Sequence, residues 1–233
     1  QGPERTESRV FPGANWFMVP AMTQPADLIE HLKALLGPGG YADAPSDLDS
    51  FTHDWRGRTG VTPFAALPRT TEQVSAVVRL ANEAGVPLVT QGGHTGLVMG
   101  ALPQQEIILS TKRLDRIREV NPASDFIIAE AGVVLAHVQE AAKTADRLFP
   151  LSLASEGNAT IGGLVSTNAG GVAVLRYGMM RDLVFGLEVV LPDGRVWNGL
   201  RTLRKDNTGY DLKQLFMGAE GTLGIVTAAA LKL

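Results

Sequence analysis

Cysteine is absent from this 233-residue chain. That excludes disulfides, thiolate nucleophiles, iron–sulfur ligation and cysteine-linked cofactors. A reducing cytoplasm is compatible with such a chain, and a cytoplasmic location is the expectation. Excess positive charge is missing too: 21 Lys and Arg stand against 24 Asp and Glu, a formal net charge of -3. With no basic run beside aromatic residues, there is nothing to neutralise a nucleic-acid backbone, so no nucleic-acid partner is expected. No apolar stretch approaches the roughly 20 residues that cross a bilayer, so no transmembrane segment is expected either. The longest, around Thr227–Leu231, is strand-sized. His31, His53 and His137 are dispersed without metal-ligand spacing, and no metal is expected. Two nucleotide fingerprints are also lacking: Gly-x-Gly-x-x-Gly in a strand-to-helix loop, and Gly-x-x-x-x-Gly-Lys-Ser/Thr.

Glycine, by contrast, is abundant and clustered. Of 26 glycines, twelve fall within residues 91–100, 157–171 and 218–224. Glycine lets backbone amides turn sharply and approach a ligand, and successive amides form anion-binding concavities. Thr95, Thr160, Ser166, Thr167 and Asn168 add neutral hydrogen-bonding side chains suited to phosphate, ribose and heterocycle edges. Three such segments in one chain point to a long phosphate-containing ligand held along its length.

Around these segments the pattern is mixed. Leu28, Ile29, Leu32, Leu35 and Leu36 recur at helical spacing between Pro25 and Gly37-Pro38. Thr62–Leu67 reads as a strand. Thr70 with Gln73 forms a capping box before Val74, Val77, Val78 and Ala81, and Gly85 closes that helix. Strand Val86–Thr90 then feeds the first glycine loop, and the strand–helix–strand order predicts a parallel unit. Strands are expected at Glu106–Ser110 and Phe126–Glu130, and a helix at Val134–Arg147. Asp193-Gly194 between apolar runs predicts a hairpin. A short helix at Leu212–Phe216 and a strand at Leu223–Leu233 complete an α+β reading in two lobes, residues 22–132 and 133–233. Residues 1–21 lack pattern and lack the zones of a signal peptide, so they are read as a non-native or disordered leader, with Met22 as the start.

Strand-then-Gln91-Gly92-Gly93-His94-Thr95-Gly96-Leu97, followed by Gly157-x-x-Thr160-Ile161-Gly162-Gly163 and Ser166-Thr167-Asn168-Ala169-Gly170-Gly171, resembles the FAD-binding half of flavin-linked D-2-hydroxy acid dehydrogenases. So do Leu175–Gly178, Arg181-Asp182, Gly186–Gly194, Lys205–Leu212 and Gly221–Thr227. This is the group of D-2-hydroxyglutarate dehydrogenase, the glycolate oxidase FAD subunit and D-lactate dehydrogenase, within the vanillyl-alcohol-oxidase-type superfamily. The resemblance spans about residues 50–233.

The resemblance implies a two-lobed fold with FAD between the lobes. The amides of Gly92, Gly93, His94, Thr95 and Gly96, flanked by Gln91 and Leu97, would wrap the pyrophosphate. Gly157, Asn158, Thr160, Ile161, Gly162 and Gly163, with Ser166, Thr167, Asn168, Gly170 and Gly171, would line the flavin, ribityl and adenosine side. Gly221, Ile225 and Val226 would close the adenine or ribityl end. Two departures stand out. Met99-Gly100 occupies the place of a family Gly-Gly. His94 stands where relatives near D-2-hydroxyglutarate dehydrogenase carry Asn and where berberine-bridge-type relatives carry a flavin-linked His. A noncovalent hydrogen bond is favoured for His94, with a covalent link the alternative. Asp54-Trp55-Arg56 is read as a structural ion pair, and Arg176 and Arg181 as partners of Asp182 or Glu188.

By the same resemblance the reaction takes a D-2-hydroxy acid to the 2-oxo acid, with electrons passing through FAD to a separate acceptor. The substrate groups would come from a C-terminal domain beyond Leu233, so these residues alone are expected to be inactive and no catalytic residue is assigned. The alternatives are a standalone flavin-binding or electron-transfer subunit, or an alcohol or sugar oxidase of the same superfamily.

Overall fold

The computed structural model describes residues 25–233; the leader at 1–21 and the start at Met22 lie outside the described residues. The first lobe runs α1 (Pro25–Leu36), β1 (Tyr41–Ala42), α2 (Pro45–Thr52), β2 (Ala65–Ala66), α3 (Thr71–Ala84), β3 (Leu88–Gln91) and β4 (Ile107–Ser110). Its sheet has the order β1-β2-β4-β3. Strands β2 and β3 both run parallel to β4, so the β2–α3–β3 unit is parallel as expected, but β4 is inserted between its strands. Only Ala65-Ala66 of the predicted strand Thr62–Leu67 pairs as β2.

Strand β4 is buried on both faces, which is why it reads as an uninterrupted apolar run. Ile107 and Leu109 pack with Leu28, Leu32 and Leu36 of α1 and Val74, Val77 and Val78 of α3. Ile108, pointing the other way, packs with Leu48 and Phe51 of α2. Helix α3 starts where its cap dictates: the Thr70 hydroxyl accepts from the Gln73 N–H at 3.2 Å, and Gly85 ends it in the left-handed region. The reciprocal arm of the box reaches one residue further back, Gln73 Oε1 accepting from the Arg69 N–H at 2.8 Å.

The second lobe holds β5 (Ile117–Asn121), β6 (Phe126–Glu130), α4 (Leu135–Thr144), α5 (Ile161–Ser166), α6 (Val174–Tyr177), β7 (Val184–Val190), β8 (Val196–Gly199) and β9 (Ile225–Lys232). Its sheet is antiparallel throughout, in the order β5-β6-β9-β7-β8. The two sheets therefore part between Ser110 and Ile117, ahead of the lobe boundary expected at residues 132–133, because β6 pairs with β9 and carries β5 into the second sheet. Strand β5 has no counterpart in the sequence reading, and the helix expected at Leu212–Phe216 is a 3-10 turn. The Asp193-Gly194 hairpin pairs Val190 with Val196. One face of this sheet, including Ile127, Leu187 and Val189, packs on α4 and α5.

The opposite face carries charge. Buried Glu188 on β7 accepts from Thr71 Oγ1 at 2.7 Å, from Thr227 Oγ1 at 2.8 Å and from Arg118 Nη2 at 3.0 Å. Arg118 also reaches Glu130, itself buried and bonded to Arg116. Because Thr71 opens α3, this knot fastens the first lobe to the second sheet. Burial alone would push the Glu188 carboxyl up; Arg118, Thr71 and Thr227 together outweigh it and hold it below the usual range. The expected partners of Glu188 are thus replaced: Arg181 donates to Gln214 and the Met217 carbonyl, and Arg176 stacks on Tyr177. Likewise Asp54 pairs with Arg58 at 2.5 Å rather than with Arg56, which stacks on Trp55. Among the described residues no helix is long and apolar enough to cross a membrane.

Candidate functional site

The three glycine segments meet. The Gly93 N–H donates to Thr160 Oγ1 at 3.2 Å, joining the first to the second. The Glu220 N–H donates to the Ser166 carbonyl at 3.0 Å, and Gly218 to that of Val165 at 3.2 Å, joining the second to the third. The third returns to the first where the Glu220 carboxylate lies against Gly100 and Gly221 against Thr90. The close approach requires the glycines: a Cβ at Gly92 would overlap Thr160 Oγ1, and one at Gly93 the Asn158 carbonyl.

This ring encloses a cleft of about 570 Å³, within the range of small-molecule sites. Gly92, Gly93, His94, Thr95, Gly96 and Leu97 line it from the first lobe. Thr160, Gly162, Gly163, Ser166, Thr167, Asn168 and Gly170 line it from the second, and Gly221, Ile225 and Val226 from the third segment. Five candidate residues stand behind the wall. Gln91 is buried, and its amide nitrogen braces both ends of the loop by donating to the Phe51 and Ala101 carbonyls at 2.8 and 2.6 Å. Ile161 is core, Asn158 supplies the carbonyl that backs Gly93, Gly171 is pressed on the Ser152 carbonyl, and Gly157 lies off the cleft.

Other residues join the wall without having been singled out. Thr90 immediately precedes the first glycine segment and Glu220 lies inside the third, so both were within reach of the same reading. Thr111 and Ser155 had no local signal; parallel pairing brings Thr111 beside Gln91, whose carbonyl accepts from its N–H at 2.8 Å. Met99 begins a 3-10 turn, exposed and outside the left-handed region, so the backbone there accommodates a side chain.

Chemically the wall is neutral hydroxyl, amide and backbone, with Glu220 its one formally charged side chain. Some groups are already committed: Thr167 Oγ1 donates to the Gly163 carbonyl, and Asn168 Oδ1 accepts from the Arg181 N–H. His94 adopts φ +56°, a left-handed conformation uncommon for a side-chain-bearing residue. Burial, aided by the Lys112 ammonium and opposed by Asp54 and a hydrogen bond to the Ser50 backbone, holds its imidazole below the ordinary value. The neighbouring loop end is anchored by Arg58 Nη2, which donates to the Leu97 carbonyl at 3.1 Å.

A glycine-ringed cleft between a mixed, mainly parallel sheet and an antiparallel one defines a class, and residues 63–199 match the family described as FAD binding domain. The chain belongs to that family, and its fold is the two-lobed vanillyl-alcohol-oxidase-type FAD-binding fold. It is 46% identical over 205 residues to the mitochondrial D-2-hydroxyglutarate dehydrogenase of Danio rerio, covering 87% of this chain and 38% of that one. It is 44% identical to the D-2-hydroxyglutarate--pyruvate transhydrogenase DLD3 of Saccharomyces cerevisiae, covering 82% and 39%. The chain thus spans less than half the length of these relatives. Among solved structures it is similar to alkyldihydroxyacetonephosphate synthase, with TM-score 0.80, 22% identity and coverage of 91% and 40%. It is also similar to p-cresol methylhydroxylase with substrate bound, with TM-score 0.73, 23% identity and coverage of 91% and 44%.

Proposed function

We propose that this chain is the FAD-holding part of an oxidoreductase that takes a D-2-hydroxy acid to its 2-oxo acid. The observation that carries the proposal is the ring of three glycine segments from distant parts of the chain around one cleft. The residues fit FAD: Cβ-free backbone at Gly92 and Gly93 for close approach, and amides and hydroxyls along the wall. The named activities of the relatives supply the substrate class.

When bound, FAD supplies the two-electron acceptor for oxidation of the alcohol carbon and hands the electrons to a separate acceptor. The chain's own residues hold and orient it. The Gly92–Gly96 amides take the pyrophosphate, Thr160 keeps the first loop against the second, and Ser166 to Gly170 with Ile225 and Val226 take the rest. Arg58 and Gln91 act behind them by fixing the two ends of the loop.

The FAD is held noncovalently, and His94 contacts it by hydrogen bonding or charge. The test is an absorption spectrum of purified, FAD-supplemented protein before and after trichloroacetic acid precipitation. A flavin band on the protein that passes entirely into the acid supernatant is expected. No flavin on the protein would refute the cofactor assignment, and colour in the pellet would place a covalent bond at the cleft.

A further inference from the structure

Gly199, at the end of β8, lines no cleft, yet the fold leaves it no choice of residue. A Cβ there would overlap the Trp197 ring, which lies back over it and meets Phe216 at a centroid distance of 5.4 Å. Gly186 on the facing strand β7 is in turn pressed onto the Gly199 carbonyl. The residue before it is Asn198, and Asn198-Gly199 is the one Asn-Gly pair in the sequence. Asparagine ahead of glycine is chemically labile, because no Cβ shields the following amide nitrogen from the side-chain carbonyl carbon. Asn198 is exposed on an edge strand. Its Oδ1 accepts from the Leu200 N–H at 3.2 Å, which polarises Cγ and holds the side chain along the backbone ahead. The strand ends at this point, with the Arg201 N–H turning back to the Gly199 carbonyl at 2.7 Å.

We propose that Asn198 is a modification site, at which intramolecular deamidation loosens the fastening between the two lobes. The Gly199 nitrogen, its proton taken by solvent base, attacks Asn198 Cγ. The new N–Cγ bond closes a cyclic imide, and the side-chain nitrogen leaves as ammonia. Water then opens the imide at one carbonyl or the other, giving Asp or isoAsp. The strand register decides what this does. Asn198 pairs with Glu188 across β8 and β7, so both side chains leave the same face of the sheet. Around Glu188 stand the carboxylates of Glu130 and Glu72 and the guanidiniums of Arg118 and Arg116. Both guanidiniums are already engaged, Arg116 by Glu130 and Arg118 by Glu130 and Glu188. A carboxylate at position 198 therefore repels Glu188 without a cation of its own. IsoAsp also adds a backbone carbon next to Gly199, where Gly186 leaves no slack. Glu188 is the group that receives Thr71 of the first lobe at 2.7 Å, so the disturbance reaches the joint between the lobes. The site stands apart from the FAD reading and does not depend on it.

Ageing the whole chain in mildly alkaline buffer tests this. Peptide mass mapping should find Asn198 converted ahead of every other asparagine, and isoaspartyl methyltransferase should label the aged protein. Asn198→Asp should melt about 2 °C lower than the unaged chain at neutral pH, and aged protein at least as much lower. The penalty exists only where both carboxylates are ionised, so the gap for Asn198→Asp should close as pH falls to about 3. Asn198→Gln, whose longer amide closes the ring slowly, should age without loss of its midpoint. Folded chain in which Asn198 keeps its amide while a peptide of residues 196–201 is converted would overturn the site. An Asn198→Asp variant that melts with the unaged chain at every pH would overturn the coupling to Glu188.

Discussion

Side chains that could not be larger, and one that could not be uncharged, define the molecule at the residue scale. Gly93→Ala should cost about 1–3 kcal/mol, because its Cβ must displace the Asn158 carbonyl, and should abolish FAD binding. Gly96→Ala, with open space at its Cβ and no left-handed backbone, should leave stability within about 0.5 kcal/mol. Denaturant titration of the two variants side by side separates a steric need from mere glycine richness. Glu188 offers a pH readout. Its carboxyl is held below its ordinary value, so its stabilisation is complete above that value and is lost as pH falls through the folded-state one. Glu188→Gln should therefore destabilise by about 2 kcal/mol at neutral pH and much less at pH 3, measured as the gap between unfolding midpoints. None of this was legible at Glu188 itself. Its partners Thr71, Arg118 and Thr227 lie far away in sequence and meet only through sheet pairing.

Elements with a chemical start and stop were readable one by one. Helix α1 lies between Pro25 and Gly37, α3 between Thr70 and Gly85, and the β7–β8 turn is marked by Asp193-Gly194. Thr70→Ala should remove about 1 kcal/mol, read from thermal unfolding, since one of the first N–H groups of α3 loses its acceptor. Elements defined by partners rather than by their own residues escaped. Strand β5 is Ile-Arg-Glu-Val-Asn, an edge strand whose burial alternates poorly because Arg118 turns inward to carboxylates. Strands β1 and β2 are two residues each and exist only as pairings. Glycine segments are similar in kind: their chemistry was visible locally, but their closure into a ring depends on the order in which the sheets assemble.

At the scale of the whole molecule, two sheets of different character share one cleft, and the Thr71–Glu188–Arg118 knot holds them together. The cleft wall holds no Arg or Lys to clamp a substrate carboxylate. These 233 residues loaded with FAD should therefore show no turnover of D-2-hydroxyglutarate or D-lactate in a dye-reduction assay, and measurable turnover would contradict the proposed division of labour. Strand β9 has a further consequence. It follows β6 and β7 in the chain, yet it sits between them at the centre of its sheet. While the ribosome is still adding residues 225–232, β6 and β7 present unpaired edges with no neighbour to satisfy them. The second lobe therefore cannot fold as it is made. The strand order thus leaves two adjoining edges open to wrong pairing until β9 slots in between them.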